Sequence, residues 1–227
     1  MLEISLSEFQ EGKILLADKP MGWTSFDVVN KIRWRIRNTF GIKKIKVGHA
    51  GTLDPCATGL LIVCTGKITQ QIDMIQRRKK VYTGIIKLGA ITPSYDMETS
   101  ESEIFPTSHL TPEYIYMISQ KFMGQIDQYP PLFSALQKKG KRLYEWARKG
   151  IQIKVSPRRV EIQKFEIIEI DIPYVKFLVR CGKGTYIRSL VHDFGQALQS
   201  GGYLKALRRE RIGDFSVEDA DLTLLEK

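Results

Sequence analysis

Eight consecutive residues, Gly48-His49-Ala50-Gly51-Thr52-Leu53-Asp54-Pro55, place a carboxylate and an imidazole in one glycine-rich stretch. Glycines let a backbone approach a ligand closely, and a residue before proline is pushed out of the helical region, so the backbone of Asp54 is restricted. Such restriction is how a carboxylate is pre-aimed. From composition alone the plainer reading is favoured, that Asp54 caps the turn or helix that follows. A phosphate-cradling loop is a further reading, but Gly48, Gly51 and Gly59 fit neither G-x-G-x-x-G nor G-x-x-x-x-G-K-[ST], so no nucleotide cofactor is expected. His49, His109 and His192 are scattered, and Cys56, Cys64 and Cys181 form no C-x-x-C pair. No metal and no disulfide framework are expected, and each cysteine reads as a small buried hydrophobe.

Such a loop needs rigid neighbours. Ile14–Ala17 is a short apolar run that breaks at Asp18-Lys19-Pro20-Met21-Gly22, the pattern of a strand entering a tight loop. Thr24 or Ser25 can cap a following helix, on which Phe26, Val29, Ile32 and Ile36 recur near helical spacing and the basic residues lie largely elsewhere. Beyond the loop, Leu60–Val63 reads as buried, and Gly66 ends the run. Val81–Leu88 reads as a strand. Thr111 and Pro112 open a helix over Ile115, Ile118 and Phe122 that Gly124 can close. Leu143–Arg148 is a candidate short helix. Val160–Ile170 and Tyr174–Cys181 read as strands, the second alternating Val175, Phe177, Val179 and Cys181 on one face. Gly182-Lys183-Gly184 then leads into a helix with Ile187, Leu190, Val191, Phe194 and Leu198 on its apolar side. The result is a mixed α+β fold. No repeat, low-complexity segment or linker divides residues 1–227, which read as a single domain with room for insertions.

The charge balance points to a polyanion. Against 25 acidic residues stand 35 lysines and arginines, a formal net charge of +10. Lys31–Lys46 carries seven basic residues and no acidic one, and Lys138–Arg159 carries nine with only Glu145. Any one cluster could be a solvated face; several in a chain this short favour nucleic acid. A membrane surface fits poorly, since no basic stretch has a long amphipathic face, and no apolar run approaches the ~20 residues of a spanning helix. The amino terminus has no basic-then-apolar leader pattern, so a cytoplasmic location is the default expectation.

Several blocks together carry a family resemblance. Gly-His-Ala-Gly-Thr-Leu-Asp54-Pro followed by Ala-Thr-Gly-Leu-Leu closely resembles the catalytic motif of TruB-type tRNA pseudouridine synthases. Leu16-Ala-Asp-Lys19-Pro20 with Gly22 and Ser25 is similar to the family's first motif, and Lys80-Val-Tyr82 with Leu88-Gly89 to its tyrosine-bearing strand. Pro131 with Ser134-Ala135-Leu136 and the segment Gly140–Gly150 resemble its central part. Cys181-Gly-Lys-Gly-Thr-Tyr186-Ile187-Arg188 and Leu207-Arg208-Arg209 with Ile212-Gly213 resemble its last two motifs. The six blocks keep the family's order over nearly the whole chain.

The resemblance implies a pseudouridine synthase fold with a mainly antiparallel central sheet flanked by helices, and isomerisation of uridine 55 in the T-loop of tRNA. It implies no cofactor, no metal, a monomer without a protein partner, and tRNA as the ligand. Asp54 maps to the catalytic aspartate, Tyr82 to an active-site tyrosine that can stack on the base, and Arg188 to an arginine that pairs with the aspartate. Tyr186 maps to a pocket residue, His49 to a histidine that fills the space left by a flipped nucleotide, and Lys19 to a support beneath the loop. Leu207 belongs to the last motif and is assigned to the substrate side. For each a plainer role stays open: a strand aromatic for Tyr82, a phosphate contact for Arg188, a helix-start packing residue for Tyr186, a backbone-bonded loop residue for His49.

The chain departs from the family in places. Ala50 stands where Thr or Ser is frequent, Phe133 and Gln137 where Tyr and Lys are common, and of the acidic pattern after Gly89 only Asp96 is carried over. The chain ends soon after Asp221-Leu-Thr-Leu-Leu, where many bacterial members continue, so a C-terminal PUA domain is expected to be absent. The rival reading is a tRNA-binding or folding module on the same fold that is catalytically silent. An enzyme acting on guide-RNA targets is a third, disfavoured by the short chain.

Overall fold

The computed structural model describes residues 4–134, 136–138, 140–151 and 153–225. Ala135 of the Ser-Ala-Leu segment lies outside them. The chain forms two compact units, Met1–Tyr82 with Leu207–Lys227 and Thr83–Ala206.

The first unit opens with α1 (Leu6–Glu11), β1 (Ile14–Lys19) and α2 (Ser25–Phe40). It continues through β2 (Val47–His49), β3 (Ala57–Thr65), α3 (Ile72–Gln76) and the start of β4 (Lys80–Leu88). Thr24 caps α2 by accepting the Asp27 N–H, while Asp27 reaches back to the Thr24 N–H, a reciprocal arrangement that satisfies two backbone donors with no helical partner. Gly41, left-handed at φ 63°, ends the helix. Strand β3 is antiparallel to β1 and to β2, and both its faces are covered. Leu61 and Val63 pack with Leu15, Ala17 and the α2 residues Val28, Val29, Ile32 and Ile36. Leu60, Ile62 and Cys64 pack on the other side with Ile75, Ile212 and Val217. Burial on both faces explains the unbroken apolar run from Leu60, since a strand with one wet face would alternate.

The second unit contains β5 (Ala90–Ile91), β6 (Glu103–Ile104), α4 (Pro112–Gln120), β7 (Gly124–Gln128), β8 (Gln137–Lys138), β9 (Lys141–Arg142) and α5 (Leu143–Ala147). It closes with β10 (Arg158–Asp171), β11 (Tyr174–Cys181), α6 (Ile187–Ala197) and β12 (Gly202–Ile212), whose last residues cross into the first unit and meet β13 (Phe215–Ser216). Strand β11 pairs antiparallel with β10, and β10 with β7. Val175, Phe177, Val179 and Cys181 are all buried, the alternation expected of a strand with one covered face. Phe165, Phe177 and Phe194 meet edge to face, with centroids 5.2 Å apart for Phe165–Phe194 and 5.9 Å for Phe165–Phe177, the geometry aromatic quadrupoles prefer.

The observed class is α+β with a mixed, mostly antiparallel sheet, as expected; β12 against β3 is a parallel pair. Two local expectations are corrected. Helix α4 ends at Gln120, and Gly124 at φ 88° instead opens β7. Cys64 and Cys181 are buried, whereas Cys56 is only partly so. No helix among the described residues is long and apolar enough to cross a membrane.

Candidate active site

The stretch from Gly48 to Pro55 ends β2 and leads toward β3, and the first unit braces it from three directions. From α2, Ser25 Oγ accepts the Leu53 N–H at 2.8 Å and donates to the Leu53 carbonyl at 3.1 Å. From the turn after β1, the Gly22 N–H donates to the Pro55 carbonyl at 2.9 Å. From β12, Arg209, with 1% of its surface exposed, reaches inward. Its Nη2 donates to the Gly51 carbonyl at 3.0 Å, Nη1 to Thr52 at 3.3 Å and Nε to Leu60 at 2.7 Å. One guanidinium thus satisfies carbonyls on both sides of Asp54, a task its planar fork suits. The Asp54 carbonyl accepts from the Ala57 N–H at 3.0 Å, so main chain closes the turn that carries the carboxylate.

Lys19 lies at the end of β1 with no exposed surface. Its Nζ donates to the carbonyls of Pro20 at 2.9 Å and Trp23 at 2.6 Å. Burial pushes its ammonium down to about 8, and the Asp54 charge is the largest influence opposing that, because an adjacent anion favours the charged form. His49 is lowered, first by burial and then by the Arg209 charge, with a backbone contact to Gly51 acting the other way. Tyr82 is buried in β4. Leu207, also buried, pairs with Ala57 in the parallel β12–β3 ladder.

Arg188 and Tyr186 belong to the second unit. Arg188, in the first turn of α6, is buried with Asp96; its Nε lies 3.5 Å from Asp96 Oδ2 and its Nη1 donates to the Ser94 carbonyl at 3.2 Å. Tyr95, between those two residues, stacks on His192 with centroids 3.9 Å apart. Tyr186 precedes α6, and buried Gln128 grips its backbone, accepting its N–H at 2.7 Å and donating to its carbonyl at 3.0 Å. Among the described residues no group of three or more His, Cys, Asp or Glu is placed to hold a metal ion.

Asp54, Lys19 and His49 are therefore brought together within one unit, while Arg188, Tyr186 and Asp96 form a second constellation within the other. Arg209 and Gln128 are the positioning residues that sequence reasoning missed. In the sequence Arg209 is one of two adjacent arginines of the last shared motif; the other, Arg208, is engaged by Asp18 at 2.7 and 3.0 Å. Period-two spacing carries the missing signal, since it sets Arg209 on the same strand face as apolar Leu207.

Residues 37–187 match the TruB family pseudouridylate synthase N-terminal domain, and a curated tRNA pseudouridine synthase B of Flavobacterium johnsoniae is 51% identical over 222 residues, 97% of each chain. The chain belongs to the TruB family. A second TruB-family relative, the tRNA pseudouridine synthase B of Phocaeicola vulgatus, is 49% identical over 93% of this chain and 90% of its own. Among solved structures, a Cbf5-Nop10-Gar1 complex contains a chain matching at TM-score 0.67 and 30% identity, over 92% of this chain and 51% of that one. An archaeal box H/ACA sRNP Nop10-Cbf5 complex matches at TM-score 0.68 and 26% identity, over 99% of this chain and 56% of that one. This chain thus spans about half the length of the solved chains it matches, and the pseudouridine synthase fold is shared over nearly all of it.

Proposed function

We propose that this TruB-family chain is a tRNA pseudouridine synthase that isomerises uridine 55 in the T-loop. The observation that carries the reading is Asp54, held in the family's motif on a loop braced by Ser25, Gly22 and Arg209, in a chain half identical to named tRNA pseudouridine synthases over nearly its full length.

In the proposed reaction the bond between C1′ and N1 breaks, the uracil turns, and a bond forms between C1′ and C5. The C5 hydrogen leaves as a proton and N1 gains one, so atoms and electrons balance with no oxidant. Asp54 acts on the ribose while the base is detached and is regenerated at the end; a carboxylate can do this because it both attacks and departs. Reaching the base requires taking it out of the loop's stack. Tyr82 is assigned the stacking wall for that base, Arg188 the cation serving the carboxylate, Tyr186 and Leu207 the pocket, His49 the space the nucleotide vacates, and Lys19 the support beneath. No cofactor is assigned. Residues 1–227 are taken as one catalytic domain, a reading supported by the two strands, β4 and β12, that run through both units. A monomer acting in the cytoplasm completes the proposal.

The test is tritium release from tRNA labelled at C5 of uridine, because the new glycosidic bond must expel that hydrogen. Release at one uridine per tRNA, abolished in Asp54→Asn while tRNA binding survives, is the expected result. Binding without release by the native protein would favour the silent tRNA-binding module.

A further inference from the structure

Helix α2 buries Val28, Val29, Ile32 and Ile36, yet two large rings stand on its other side, Phe26 with 60% and Trp34 with 55% of their surface exposed. Each ring has a cation over it. Lys31 Nζ lies 5.4 Å from the Trp34 ring centroid, and the Arg33 guanidinium carbon 6.0 Å from that of Phe26. Arg33 is fixed there by hydrogen bonds to Asn30 Oδ1 at 2.8 Å and the Val47 carbonyl at 2.9 Å. Between Lys31 and Leu53 there is no carboxylate, and among the described residues none of the seven cations from Lys31 to Lys46 is ion-paired.

Positive charge alone would describe any phosphate-facing surface. Rings exposed by more than half beside unpaired cations describe something narrower, because aromatic faces stack on bases that are out of a helix, whereas a duplex offers them none. Phe26 and Trp34 are eight residues apart, roughly 12 Å along the axis at ~1.5 Å per residue. That is too far for two bases stacked on one another and suits an extended or looped strand. We propose that this face of α2 binds unpaired RNA nucleotides, with Trp34 and Phe26 as stacking platforms and Lys31 as a phosphate contact. The identity of the RNA as tRNA rests on the proposed function; the stacking surface itself does not.

The experiment measures Kd by anisotropy across a salt series for native protein, Trp34→Ala, Trp34→Phe and Lys31→Gln, each checked by circular dichroism. The probes are full-length tRNA and the isolated T-arm hairpin. Trp34→Ala is expected to weaken binding about tenfold, the magnitude of one lost base–ring stack, and Trp34→Phe to retain it. Lys31→Gln is expected to shallow the log K against log salt slope by about 0.7 to 0.9, one phosphate contact. A loss seen on both probes places the stacked nucleotide in the T-arm, and a loss confined to full-length tRNA places it elsewhere in the molecule; either supports the surface. Unchanged Kd and slope on both probes overturn it, including the case in which a protein covers this face. Failure of the native protein to release tritium would count against the isomerase reading instead, and the binding comparison would still decide the role of α2.

Discussion

Ser25 and Leu53 are joined twice, the hydroxyl accepting the Leu53 N–H at 2.8 Å and donating to its carbonyl at 3.1 Å. The residue immediately before Asp54 thus has both backbone groups satisfied by the first turn of α2. Ser25→Ala leaves those two groups buried without a partner, at a cost of about 1–3 kcal/mol. Misplacement of the carboxylate by a fraction of an ångström should lower single-turnover tritium release by about 10- to 100-fold. Denaturant titration alongside single-turnover kinetics separates the two effects.

Arg209 offers a harsher test. Lysine keeps the charge but cannot reach the Gly51, Thr52 and Leu60 carbonyls in one plane. Arg209→Lys should destabilise the protein by about 2–4 kcal/mol, read from the urea midpoint at unchanged m-value. Retention of native stability would show that the three hydrogen bonds contribute little.

Gly59 lies where β3 passes β12 at φ +102°, and a Cβ there would sit 2.7 Å from the Arg209 nitrogen and against its carbonyl oxygen. Left-handed backbone and this overlap both oppose a side chain. Gly59→Ala should lower stability by about 3 kcal/mol or more, visible as a depressed Tm.

Asp193 on α6 is pushed up to about 6 by burial. The folded state holds this proton more tightly than the unfolded chain, so the contribution is fully present below an ordinary carboxylate value near ~4 and is lost as pH rises through 6. Asp193→Asn should therefore stabilise the protein at pH 7 by about 1–2 kcal/mol after solvent screening. The gain should vanish toward pH 4. Equal gains at both pH values would contradict the assigned cause.

Much of the scaffold is visible in local patterns. Thr24 with Asp27 three residues on announces the start of α2, and the alternation from Val175 to Cys181 announces β11, because caps and periodicity are properties of neighbours in sequence. The candidate chemistry around Asp54 is visible for a different reason, the density of shared motifs. Arg209 and Gln128 are not visible as buried positioning groups, since a charged or amide side chain reads as surface until its partners are known. Those partners lie far off in the chain: Gly51 is 158 residues from Arg209, and Tyr186 is 58 from Gln128. Short strands such as Val47–His49 escape for the same reason, being defined by β3 and not by their own composition.

The guanidinium of Arg209 also sets a schedule for biosynthesis. The Gly48–Pro55 loop leaves the ribosome early, but the strand that carries its clamp is made more than 150 residues later. At ~5–20 residues per second that interval is on the order of ten to thirty seconds. During it the loop has α2 and the turn at Gly22 to lean on but no Arg209, and nascent chains stalled before β12 should hold Asp54 on a loop with one of its three braces missing. Competence for chemistry then arrives as a late event of translation, after most of the polypeptide has already left the tunnel.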